Sequence, residues 1–190
     1  MLLHLLRHGQ STWNVEGRLQ GQTLHVPLTD LGREQAAAAA DLLASRAIAG
    51  VWCSDQLRAI ETARVVAGRH RLTPHQTPLL REQSLGNLEG RLTSELAPEP
   101  VPEGVDISEV AWGGGESLQQ VHARMRVLVE ELSVAFDPDA EVVLVSHGDT
   151  LRVLLALLDG RGHREVTWEP LANCEIITRT LPGGPVGGRC

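Results

Sequence analysis

Three short stretches place chemistry-bearing side chains directly after apolar runs. Arg7-His8-Gly9 follows Leu2 to Leu6, Ser54-Asp55 with Arg58 one turn further on follows Val51-Trp52-Cys53, and Ser146-His147-Gly148 follows Val142 to Val145. Together they offer two imidazoles and two guanidiniums. Each glycine lets a ligand approach the backbone closely, and a helix starting nearby presents unpaired N–H groups to an anion. A guanidinium keeps its charge at any working pH and grips phosphate oxygens with a planar, bidentate fork. The chemistry that suits these residues is recognition of a phosphoryl group.

These residues can meet only if the fold brings three strand ends to one edge. Leu2 to Leu6 and Val142 to Val145 are nearly continuous apolar runs of the kind covered on both faces of a sheet, Val51 to Cys53 is a shorter one, and Cys174 to Thr178 reads as a last strand. Helical patterns fill the gaps. Thr29 or Asp30 can cap a helix running through the alanines to about Ala47, and Leu57, Ile60, Ala63 and Ala67 mark one face of the next. Ser117 and Gln120 form a capping box ahead of Leu118, Val121, Met125, Leu128, Leu132 and Ala135, spaced by threes and fours. Strands alternating with helices predict an α/β fold of three layers, a mostly parallel central sheet with helices on both faces. Ligands of such sheets bind beyond the carboxyl ends of the strands.

The chain has 190 residues, enough for one domain with a sizeable core. That domain is expected over residues 1–181. Pro98, Pro100, Pro102 and the Gly113-Gly114-Gly115 run make 95–115 a lid insertion, and the Gly- and Pro-rich 182–190 stretch a flexible tail. All 17 basic residues are Arg, so chemistries that need a lysine amine, such as the Walker P-loop or a Schiff base, are excluded. A net charge of −7 argues against nucleic acid or an anionic membrane as a partner. Cys53, Cys174 and Cys190 are widely spaced and odd in number, which points away from a disulfide framework or zinc site and towards the cytoplasm. The eight histidines include no HxH grouping, and the one HxxxH spacing, His4 to His8, lies along an apolar run that reads as a strand, where residues four apart are too distant to share an ion, so no metal is expected. The longest helical apolar run, Leu151 to Leu158, is broken by Arg152 and is too short to span a bilayer.

In these motifs and their order the chain resembles the histidine phosphatase superfamily, the phosphoglycerate mutase-like proteins. Leu5 to Asn14, with Arg7-His8-Gly9 at its centre, looks like the family signature, and Arg18-Leu19-Gln20-Gly21 continues it. Pro27 to Ala36, Ser54 to Ala59, Glu82 to Gly90, Gly114 to Ser117 and Ser146-His147-Gly148 extend the match over most of the chain. The resemblance implies transfer of a phosphoryl group to His8 and its hydrolysis by water, with no cofactor. Arg7, Arg58 and His147 would stabilise the phosphoryl oxygens, Asn14 would add a hydrogen bond, and Glu82 would protonate the leaving oxygen. Gln20, Gly21 and Gly148 would complete the substrate site. The expected substrate is a small phosphorylated metabolite, handled by a monomer or a homodimer. A cofactor-dependent phosphoglycerate mutase is the alternative. Mutases of this family are longer and resemble one another in a Lys-bearing segment after the acid motif, which this chain lacks. A phospho-ligand binding module on the same scaffold is a further alternative. Two departures are local: Leu88 stands where the family usually has Trp, and Gln22 to Val26 replaces a stretch that often carries Asp. The latter puts His25, read as a surface-loop residue, near the substrate mouth.

Overall fold

Apolar runs without alternation become central strands because both of their faces must be covered. In the computed structural model, which describes residues 1–97 and 99–181, β1 (Leu2–Arg7) lies parallel to β4 (Glu141–Ser146), and β4 lies parallel to β2 (Ile48–Ser54) on its other side. A short β3 (His75–Thr77) extends the sheet in parallel beyond β2, and β5 (Ile176–Thr180) closes the opposite edge antiparallel to β1. The strand order is β3-β2-β4-β1-β5, the mostly parallel α/β sheet the pattern predicts. Arg7 pairs with Ser146 and Cys53 with Val145, so β1, β4 and β2 end at the same edge.

Helices cover both faces. Leu3, Leu5, Val142 and Leu144 point into one apolar cluster with α4 (Leu118–Ala135) and α5 (Gly148–Leu158). Leu6, Val143 and Val145 point into the other, with α2 (Asp30–Leu43) and α3 (Leu57–Arg69). Ala36, Ala39 and Ala40 are buried, so the alanine run does mark close helix packing. No helix among the described residues is long and apolar enough to cross a membrane.

Several boundaries differ from the sequence pattern. α2 ends at Leu43 instead of about Ala47, in a turn where Arg46 N–H donates to Leu43 O, and β2 starts earlier, at Ile48. The last strand begins at Ile176, because Cys174 adopts φ 58° and donates its N–H to Arg7 O. On α3 the buried face is Arg58, Ala59, Thr62, Ala63, Val66 and Ala67, which leaves Leu57 and Ile60 at its margin; small residues let the helix sit close to α2 and the sheet. On α4, Ala135 is exposed and Val129 is buried, while Phe136 just beyond the helix packs on the core. Among its described residues, the 95–115 segment forms nothing longer than 3-10 turns, at Ile107–Glu109 and Trp112–Gly114, as its prolines and glycines dictate. Pro98 and the 182–190 tail lie outside the described residues.

A short helix, α1 (Thr12–Glu16), follows β1, capped by Ser11. The loop between them fits against the first turn of α2 with no room for a side chain: a Cβ on Gly9 would stand 2.3 Å from Gly32 O, and one on Gly32 would stand 2.1 Å from Gln10 O. This contact fixes the backbone directly after His8.

Candidate active site

The ladder between β1 and β4 continues one residue past the strand, since His8 N–H donates to Ser146 O at 3.0 Å. The His8 ring is therefore delivered to the strand edge and buried there. Its Nδ1 lies 2.7 Å from Gly9 O, a carbonyl that can only accept, so Nδ1 carries the proton and Nε2 the lone pair. Burial, then the positive charges of Arg58 and Arg7, hold the imidazole well below its usual pKa range and keep it neutral. Asn173 Nδ2 donates to His8 O at 2.9 Å, tying the segment before β5 to this position.

His147 caps α5 and is fully buried, its ring centroid 5.1 Å from that of His8. Arg58 Nε donates to His147 Nδ1 at 3.2 Å, which makes Nε2 the protonated nitrogen. Among the described residues, that N–H is buried without a partner, and so is Arg7 Nε. Unsatisfied buried donors cost about 1–3 kcal/mol each, so an anion that brings its own acceptors suits them. Arg58 is itself wholly buried, and its terminal nitrogens donate to Thr23 O and Gly21 O, both at 3.0 Å. Burial pushes its pKa down to about 10, which leaves it charged at neutral pH.

Glu82 arrives from a different part of the chain. Its carboxylate sits at the amino end of α5, accepting from Thr150 N at 3.0 Å, Thr150 Oγ1 at 3.1 Å, Asp149 N at 3.3 Å and Gln83 N at 2.9 Å. A Cβ built on Gly148 would stand 3.9 Å from both Arg7 Nε and Glu82 Oε2, so these two groups flank the first turn of α5. His8, Arg7, Arg58, His147, Gly148 and Glu82 thus converge at one edge of the sheet.

Asn14, Gln20 and Gly21 form an adjoining group. Asn14 Oδ1 accepts from Ser11 N and Oγ at 3.0 Å, and Gln20 Oε1 accepts from the same hydroxyl at 2.8 Å. Among the described residues, neither amide NH₂ group has a hydrogen-bond acceptor within reach. Gly21 acts through its backbone: φ is 44°, its carbonyl holds Arg58, and a Cβ would collide with the Glu89 carboxylate. Glu89 and Glu116, the other carboxylates near the acid motif, are tied down. Glu89 accepts from Gln22 N at 2.9 Å and Leu85 N at 3.0 Å, while Glu116 pairs with Arg124 at 3.1 Å. Arg81 is held by Asp55, and His25 is exposed.

The residues that sequence reasoning missed are the ones that position these groups. Gln56 accepts from Glu82 N at 2.8 Å and donates to Gly21 O and Thr23 O, so one amide ties the acid's backbone to the Arg58 loop. Arg124 of α4 donates to Glu82 O at 3.1 Å. Asp149 pairs with Arg152 at 2.8 Å; burial first, and then neighbouring Glu82, push its pKa up to about 6. Gln56 and Arg124 stand among other polar residues, in Ser54 to Arg58 and Gln119 to Arg126, so no local signal sets them apart. Among the described residues no three His, Cys, Asp or Glu side chains are grouped to hold a metal ion.

The two buried imidazoles make stability depend on pH. Their pKa values are depressed in the folded state, so below about 6.5 the unfolded chain binds more protons, and the stabilisation present above that pH is lost as pH falls. From pH 7 to 6 the pair should remove roughly 1.4 kcal/mol, about half from each ring. Asp149, whose pKa is raised, works in the opposite sense and offsets part of this. Urea unfolding at the two pH values checks it: His147→Gln should shrink the loss by about half of the imidazole contribution.

Comparison with known proteins agrees with this geometry. The model of the histidine phosphatase superfamily (branch 1) matches residues 3–184. A glucosyl-3-phosphoglycerate phosphatase of Mycobacterium tuberculosis is 39% identical over 166 residues, covering 82% of this chain and 74% of that protein. A probable phosphoglycerate mutase GpmB of Yersinia pestis is 32% identical over 183 residues, covering 92% and 82%. Among solved structures, a mycobacterial glucosyl-3-phosphoglycerate phosphatase in complex with VO3 superposes with a TM-score of 0.81 at 34% identity, over 93% of this chain and 90% of that one. With the strand-edge histidines, the buried arginines and a family match over nearly its whole length, the chain belongs to the histidine phosphatase superfamily, branch 1, and has the phosphoglycerate mutase-like fold of a phosphoric monoester hydrolase.

Proposed function

We propose that the protein hydrolyses a small phosphomonoester metabolite through a phosphohistidine on His8, with Glu82 as proton donor and without a metal ion. The observation that carries this is the state of His8: a neutral buried ring whose Nδ1–H is fixed on Gly9 O, so that the lone pair is on Nε2. Nε2 attacks phosphorus in line, the P–O bond to the alcohol breaks, and the departing oxygen takes its proton from Glu82. Water then gives a proton to Glu82 and attacks the phosphohistidine, releasing phosphate and restoring neutral His8. Arg7, Arg58 and the Nε2–H of His147 stabilise the charge on the phosphoryl oxygens, with Asn14 as a further donor; such preorganised donors are typically worth about 3–4 kcal/mol each. Two guanidiniums supply the positive charge that a metal provides in other phosphoryl-transfer sites. We assign the activity to one domain, residues 1–181 with the 95–115 lid, working in the reducing cytoplasm; Cys53 and Cys174 are free thiols, which supports that setting.

The test uses phenyl phosphate and 3-phosphoglycerate side by side, each with a chelator present. Phosphate release from phenyl phosphate should be undiminished by the chelator. Isomerisation of 3-phosphoglycerate, with catalytic 2,3-bisphosphoglycerate added, should be far slower than that release. Faster isomerisation would make the protein a mutase, and chelator-sensitive release restored by a divalent ion would end the metal-free reading.

A further inference from the structure

The lid and the loop at 163–168 enclose a cavity of about 500 Å³, within the ~300–1,000 Å³ range of small-ligand sites. It starts at Glu82. Gln83 and Asp149, both part of its lining, donate backbone N–H groups to the two oxygens of the Glu82 carboxylate, at 2.9 and 3.3 Å. If Glu82 protonates the departing oxygen, the remainder of the alcohol has this cavity to occupy.

Its walls are mainly apolar, with Leu85, Leu88, Ile107, Val110, Trp112 and Trp168 among them. Leu88, at the position where the family usually has Trp, therefore faces this space. Ile107 and Trp168 line the cavity and are still 62% and 59% exposed, so its mouth is an apolar surface left wet. The charges at its lining are of the wrong kind to receive an acid. Glu99, Asp106 and Asp149 are carboxylates. Arg164 is engaged by Glu109 at 3.1 Å and Asp106 at 3.9 Å, and His163 Nε2 lies 3.5 Å from Glu109. Arg152, beside the cavity, is paired with Asp149 and stacked 5.7 Å from the Trp168 ring. Among the described residues, each arginine at this cavity already has a carboxylate partner.

We infer that the leaving group is an uncharged alcohol with a sizeable apolar body, aliphatic or aromatic, seated between the lid and Trp168, and that a carboxylate-bearing alcohol is rejected. The inference rests on the phosphatase reading and narrows its substrate class. A carboxylate placed here would lose its hydration without gaining a cation and would meet three like charges. An apolar body releases water from Leu85, Leu88, Val110 and Trp112 and covers the wet side chains at the mouth.

A series of straight-chain alkyl phosphates from ethyl to octyl isolates this contribution, because the basicity of the leaving alkoxide hardly changes along it. kcat/KM should rise by about threefold per methylene until the cavity is filled. 3-Phosphoglycerate and O-phosphoserine should fall at least about tenfold below hexyl phosphate, and Ile107→Arg, which adds a cation at an exposed position, should raise 3-phosphoglycerate relative to hexyl phosphate by about tenfold or more. Release from phenyl phosphate with a flat alkyl series, or with 3-phosphoglycerate matching hexyl phosphate, overturns the inference and leaves the phosphatase reading standing. No release from any of these esters overturns the phosphatase reading, and the inference with it.

Discussion

In the His8→Ala variant, phosphate release should fall on the order of 10⁵-fold or more, the scale seen when a nucleophile is removed from a covalent mechanism. Brief mixing of the unaltered protein with phosphate-labelled substrate, followed by quenching in base, should leave about one phosphate per chain at most, stable to alkali and lost in acid, as a P–N bond on imidazole requires. The variant should carry no such label. The substitution is a fair probe because the ring's hydrogen bond is to the carbonyl of the adjacent residue, while the backbone of His8 stays held by Ser146 O and Asn173. Removing a buried imidazole also removes one group that must stay unprotonated, so the variant should keep more of its stability near pH 6 than the unaltered protein. A folded His8→Ala protein that still takes up alkali-stable label would place the nucleophile elsewhere.

Much of this site is legible in the sequence for a physical reason. Arg7 ends the first of the two most apolar strands, His8, His147 and Gly148 directly follow them, and those strands pair in parallel with their ends in register, so finding the strands finds the residues. Arg58 follows from β2 in the same way, one helical turn beyond it. Glu82 follows no strand long enough to show periodicity. It lies after β3, three residues long, and a 3-10 turn at Pro78–Leu80, so only its motif marked it. β3 and α1 are too short for a period of two or 3.6 to repeat. β5 was misplaced by two residues because Cys174 and Glu175 continue its pattern, whereas Cys174 is held at positive φ by its bond to Arg7 O. The positioning residues were hidden for another reason. Gln56 and Arg124 act through contacts with partners 26 to 42 positions away, and no local pattern encodes those. The cavity is likewise a product of tertiary packing, since its walls come from the Leu85–Leu88 turn, the lid and the 163–168 loop.

Leaving-group basicity separates the role of Glu82 from that of the residues that hold phosphate. Glu82→Gln should slow an alkyl phosphate by about 10²–10⁴-fold, the usual range for general acid catalysis. The amide oxygen can still accept from Thr150 and Gln83, and its NH₂ would face only the longest of the four bonds, the 3.3 Å contact with Asp149 N, so the variant should fold. An aryl phosphate, whose phenolate departs without much help, should lose far less in the phosphorylation step. Arg58→Ala should behave otherwise, because the oxygens it stabilises carry charge whichever alcohol leaves, and both substrates should lose about 10²–10³-fold. The loop that Arg58 holds keeps a second anchor in Gln56 Nε2, which donates to Gly21 O at 2.9 Å and Thr23 O at 3.1 Å. Single-turnover rates are needed, because dephosphorylation also uses Glu82 and would mask the contrast at steady state. Equal losses for alkyl and aryl esters in Glu82→Gln would take the acid role away from Glu82. A large alkyl loss with a small aryl loss would identify Glu82 as the donor, because only a group that hands a proton to the departing oxygen is sensitive to how badly that oxygen needs one.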